Sequence, residues 1–188
     1  MIMFGGTSMR RTRLWGAACA AVLMAAGLGT AASAATSAHA TSSVIPKCTA
    51  SDLGVWVAAD QSNGTAGSIY YPMEFTNLSS GTCYLYGHAG VSAVSASGHQ
   101  LGQSAQWGAG TASVVNLAPG ATAHAMLQYV DVQVSPGCHP VNAAELKIYP
   151  PAQTSSTHAF WDLASCTTGP VYMNVGVIKA GVGTRTST

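Results

Sequence analysis

Charge is what this 188-residue chain lacks most: charged residues make up 7% of it, where about 25% is usual in soluble proteins. No cluster of Lys or Arg follows the first thirteen residues, so the chain has no electrostatic footprint for nucleic acid or for anionic lipid. Gly-x-Ser-x-Gly, His-Glu-x-x-His and a Gly-Lys-Ser/Thr phosphate loop are all missing, which removes the common hydrolase, zinc-peptidase and nucleotide-binding readings. Beyond residue 40 nothing reads as a helix, because the Ala-rich stretches are broken by β-branched residues and glycines. No segment repeats at a fixed period. Polar, uncharged Ser, Thr, Asn, Gln and Gly must cover most of the surface.

The first forty residues have a different character. Arg10, Arg11 and Arg13 precede an apolar run from Leu14 to Gly29, followed by Ala32-Ser33-Ala34 and Ala38-His39-Ala40. A basic start, a short greasy middle and small residues at −3 and −1 make a secretory signal peptide. The run is shorter than the roughly 20 apolar residues of a membrane helix. Cleavage is expected after Ala40, with Ala34 as second choice. Arg13 stands where a twin-arginine signal prefers an aromatic, and Gly16 where a lipobox before Cys19 wants Leu, so an ordinary export signal is read and no stable membrane anchor is expected. Beyond residue 40 the bases are Lys47, Lys147, Lys179 and Arg185 and the acids Asp52, Asp60, Glu74, Asp131, Glu145 and Asp162, a mildly acidic balance. The expected location is extracellular, with 41–47 a short linker, 48–181 one domain and 182–188 a flexible polar tail.

That domain reads as strands between turn signals. Ile69, Tyr71, Met73 and Phe75 alternate with Tyr70, Pro72, Glu74 and Thr76, a period of two with one apolar face. Pro72 cannot donate to a ladder, so this strand should lie at an edge or have that N–H side free. Leu53 to Ala59, Val130 to Val134, Leu146 with Ile148, and Val171 to Val177 also alternate. Shorter runs at Cys83–Tyr86, Val91–Ala96, Ser113–Leu117 and His158–Leu163 bring the total to about eight strands. Short strands at this spacing predict an all-β fold, a sandwich or barrel.

Cys48 with Leu53, Tyr71-Pro72-Met73-Glu74-Phe75-Thr76-Asn77, Cys83-Tyr84-Leu85-Tyr86-Gly87, Leu117-Ala118-Pro119-Gly120-Ala121-Thr122-Ala123, and Cys138-His139-Pro140 leading to Leu146-Lys147-Ile148-Tyr149-Pro150-Pro151 together resemble one family. It is the secreted actinobacterial family known as domain of unknown function 4232. The resemblance implies an exported or lipoprotein-anchored, immunoglobulin-like β-sandwich with paired cysteines, and it carries over no catalytic residue. Four cysteines beyond the leader allow three connectivities. Local pairing in chain order favours Cys48 with Cys83 and Cys138 with Cys166, and the resemblance points the same way. Wide spacing and export favour disulfides over a zinc site.

His88, His99, His124, His139 and His158 show no metal-ligand spacing, and neither a metal nor a cofactor is expected. Glu74, Asp131 and Glu145 fall on polar strand faces, where solvated carboxylates belong, so no catalytic pair is assigned. The aromatics Tyr70, Tyr84, Tyr86, Trp107, Tyr129, Trp161 and Tyr172 either fill a sandwich or form a recognition surface. Trp107, in a glycine-flanked loop, and Tyr84 and Tyr86 are the candidate ligand contacts. Asn63-Gly64-Thr65 and Asn77-Leu78-Ser79 match a glycosylation pattern but read as turn asparagines. The function expected is a non-enzymatic binding or cell-envelope interaction module for an envelope or extracellular ligand, protein or glycan. The alternative is a hydrolase acting on envelope polysaccharide.

Overall fold

The Ile69–Phe75 alternation lies in the longest strand of the structure, a computed structural model that describes residues 44–184. These belong to one compact unit, Ser42–Thr188. The leader and its cleavage sites lie outside the described residues.

Among the described residues fourteen strands run in chain order: β1 Leu53–Val57, β2 Asn63–Thr65, β3 Ser68–Asn77, β4 Cys83–Leu85 and β5 Gly90–Val94; then β6 Gln106–Trp107, β7 Val115–Leu117, β8 Thr122–Val130, β9 Pro140–Asn142 and β10 Glu145–Tyr149; finally β11 Thr157–Phe160, β12 Ala164–Cys166, β13 Met173–Val175 and β14 Lys179–Ala180. The main sheet has the order β1-β3-β8-β13-β6, with β2 beside β3 and β14 beside β8. A second sheet runs β11-β10-β5, and β12-β9 and β4-β7 form two-stranded ribbons. The protein is all-β, and its layers are compatible with an immunoglobulin-like sandwich. Strands of two or three residues, such as β6 and β14, carry too few residues to show a period, which is why only about eight were expected.

One core joins the layers. Tyr71, Met73 and Phe75 of β3 and Ala123, Ala125, Leu127 and Tyr129 of β8 pack with Val91, Ala93, Leu146 and Ile148 from the second sheet. Trp161 meets Tyr71 and Tyr129 edge-on at centroid distances of 5.2 and 5.7 Å, an arrangement favoured by the ring quadrupoles. Tyr129 donates its hydroxyl to the Ala164 carbonyl, and burial pushes its phenol up to about 12. Tyr129, Trp161 and Tyr172 are thus core residues rather than a surface for ligands.

Two expectations need correction, and a third holds in its second form. β3 is an interior strand, and the Pro72 N–H side is the one left without a ladder partner. The Pro72 carbonyl accepts the Ala58 N–H at 2.8 Å, so its missing N–H falls on the same side, where β1 has ended and the chain makes a 3₁₀ turn over Ala59–Gln61. The run expected from Val130 to Val134 is not a strand beyond Val130, which ends β8. The Asp131 carboxylate accepts the Gln133 N–H and turns the chain into a 3₁₀ helix over Val132–Val134. Glu74 is not solvated. It is 1% exposed, because residues 181–183 cross the outer face of β3 above it.

Both disulfides pair as favoured: Cys48 with Cys83 and Cys138 with Cys166. Asn77 is fully buried at the end of β3, donating to Gly81 and Leu117 carbonyls and accepting from Ser79, a turn role that leaves no room for a glycan.

Candidate binding site

Three short extended segments make the floor of a surface groove. β4 pairs with β7 on one side, with Tyr84 opposite Asn116. On the other side Lys47 bridges to Tyr84, with the Cys48 N–H donating to the Tyr84 carbonyl and the Tyr84 N–H to the Pro46 carbonyl, both at 2.9 Å. The described end of the segment read as a linker is therefore paired chain. Side chains of extended backbone alternate between faces. Cys48, Cys83, Leu85, Val115 and Leu117 turn into the core, which leaves Ile45 with Lys47, Tyr84 with Tyr86, and Val114 with Asn116 on the outer face.

Pro151 and Ala152 form the wall. The Gln153 N–H donates to the Pro150 carbonyl at 3.0 Å, and Ala152 has φ of +56°, the left-handed region at the third position of a type II turn, where glycine is preferred. This is the only non-glycine residue with positive φ among the described residues, and strain of this kind concentrates at ligand clamps. Ala152→Gly is expected to raise stability by about 1 kcal/mol or less, read from the urea midpoint. A loss of stability would show that the methyl group's packing outweighs the strain.

The groove holds about 570 Å³, within the roughly 300–1,000 Å³ range of small-molecule sites. Tyr86 is 53% exposed, whereas Tyr84 is half-buried. Lys47 is the only charged side chain lining it, and no carboxylate lies within ion-pairing distance of it among the described residues.

Of the three predicted contacts, the structure thus unites Tyr84 and Tyr86 but leaves Trp107 elsewhere. Trp107 is 70% exposed on β6 and stacks on His88 at 5.4 Å, with the rings 11° from parallel. His88 is in turn fixed by its Nε2 contact to the Gly108 carbonyl. The predicted acids do not converge. Glu74 is covered, Asp131 caps a 3₁₀ turn, and Glu145 meets His158 Nδ1 at 2.6 Å on the surface. No group of three His, Cys, Asp or Glu side chains placed to hold a metal occurs among the described residues. Sequence reasoning missed Lys47, Asn116 and Ala152.

Residues 48–182 match the family described as domain of unknown function (DUF4232). The chain belongs to that family. Neither a curated protein nor a solved structure matches it. Tyr84, Tyr86, Val114, Asn116, Pro151 and Ala152 of the groove lie inside the matched residues, whereas Ile45 and Lys47 lie just before them.

Proposed function

We propose that this protein is exported, is of actinobacterial type, and works outside the cell as a non-catalytic module that holds an envelope or extracellular ligand in the Tyr84–Tyr86 groove. The carrying observation is an aromatic floor on paired, disulfide-braced backbone, a rigid surface that loses little entropy on binding. Among the described residues no Asp, Glu, His, Ser or Cys lines the groove, which supports binding rather than turnover. No helix of the described residues is long and apolar enough to cross a membrane.

The test is capture from envelope extract and on a glycan array, compared with Tyr86→Ala and Trp107→Ala. Tyr86→Ala is expected to weaken capture at least about tenfold, as for an aromatic anchor. Its melting temperature should hardly move, since the ring is half-exposed. Loss of capture in Trp107→Ala alone would move the site to β6. Release of reducing ends, abolished by one Asp or Glu substitution, would replace the module with a hydrolase.

A further inference from the structure

The ligand of this groove can be narrowed by its chemistry. Ile45, Val114, Pro151 and Ala152 surround the two tyrosines with aliphatic surface, and the polar groups are few: Lys47, Asn116 and the phenol hydroxyls. A site of this composition binds an apolar body and orients it through a small number of polar contacts. The charge in it has one sign. Lys47 is exposed at the edge of the floor, and neither Glu145 nor any other carboxylate of the described residues reaches it. The cross-strand bridge to Tyr84 places Lys47 next to Tyr84, and Asn116 lies directly opposite Tyr84 on β7. An ammonium group and an amide therefore flank the same ring, so both can donate to one anionic group lying beside it.

We infer that the groove takes a small anionic amphiphile: a ring or short chain lying on Tyr84 and Tyr86, with its single anionic group held by Lys47 and Asn116. This rests on the binding-module reading above and replaces the protein or glycan expected from the aromatic surplus alone. A neutral sugar would find too few donors and acceptors against this wall. A cationic ligand would meet Lys47.

Three probes of equal chain length separate the contributions: decanoate, decanol and decyltrimethylammonium, each below its micelle concentration, titrated into the secreted protein and followed through the tyrosine ring resonances. Decanoate is expected to bind about five- to tenfold more tightly than decanol, the range of a partly solvated ion pair with a charge-assisted hydrogen bond. Decyltrimethylammonium should be the weakest. Added salt should weaken decanoate and leave decanol unchanged. Lys47→Gln should bring decanoate down to the affinity of decanol without altering decanol itself, and Tyr86→Ala should weaken both. Equal affinity for decanoate and decanol would overturn the anionic assignment while leaving the groove as the binding site. Failure of all three probes, with Tyr86-dependent capture from extract intact, would overturn the amphiphile and keep the module. Loss of both would overturn the two readings together.

Discussion

Replacing Cys48 and Cys83 together by alanine is expected to lower the melting temperature by roughly 8–15 °C and to abolish binding in the groove. The bridge spans 35 residues of sequence, for which loss of unfolded-chain entropy contributes about 3.5–4 kcal/mol in the chain-entropy model. A domain of this size loses about 2–4 °C per kcal/mol. Both half-cystines are buried, at 0% and 3% exposure, so alanine also leaves a void in the core. The functional consequence follows from topology. Cys48 lies next to Lys47 and Cys83 next to Tyr84, so the bridge clamps the two backbones that present the floor of the groove. The second bridge, Cys138–Cys166, spans 28 residues and should cost a similar amount of chain entropy. Its Cys138 is only half-buried, and it ties β12 to the turn before β9, away from the groove lining. Its double alanine variant should therefore melt lower yet still bind. Scanning calorimetry without reductant and titration of the same variants provide the comparison. Unchanged binding after loss of Cys48–Cys83, or a binding defect confined to Cys138–Cys166, would contradict the clamp.

How much of this was legible depends on how far the deciding contact lies along the chain. The β3 strand was readable because Ile69, Tyr71, Met73 and Phe75 make one apolar face at period two against a mostly polar one. Its partner β8, one residue shorter, was not, because two of its four core positions are Ala123 and Ala125, small residues with weak strand propensity. Tertiary pairing with β3 along the whole strand decides its state. Period-two spacing places Tyr84 and Tyr86 on one outward face. It could not show that Lys47 and Asn116 stand on either side of Tyr84, since those neighbours come from bridges to distant segments. The same holds for Glu74. The alternation gave the right face, but whether that face meets water is set by a hydrogen bond to a residue 109 positions away.

That contact carries the other large expected effect. The Gly183 N–H donates to Glu74 Oε1 at 2.9 Å, while Oε2 is buried with no hydrogen-bond partner among the described residues. His124, opposite Glu74 on β8, holds the Gly181 carbonyl through Nδ1 at 2.8 Å. The strap closes this tightly because residue 183 has no side chain; a Cβ there would lie 2.6 Å from the Pro72 Cβ and 3.1 Å from Glu74 Oε1. Burial pushes the Glu74 carboxyl above its ordinary value, against the smaller opposing pull of the Gly183 N–H and the His124 charge. The folded state thus favours the neutral acid. Its contribution to stability is complete below the ordinary value of 4.5 and is lost as pH rises through the raised folded value. Glu74→Gln keeps the shape and the acceptor for Gly183 but cannot ionise. It is expected to match the native protein near pH 4 and to melt higher at pH 7, by several degrees, since an unsatisfied buried polar group costs about 1–3 kcal/mol and a charged one more. Gly183→Ala should lift the strap and let water reach Glu74. This variant should lose stability at pH 4, and in its background Glu74→Gln should bring no gain at pH 7. Melting curves of the four proteins at both pH values complete the cycle. A glutamine effect independent of pH, or one undiminished by Gly183→Ala, would mean that the strap does not control the carboxyl's exposure.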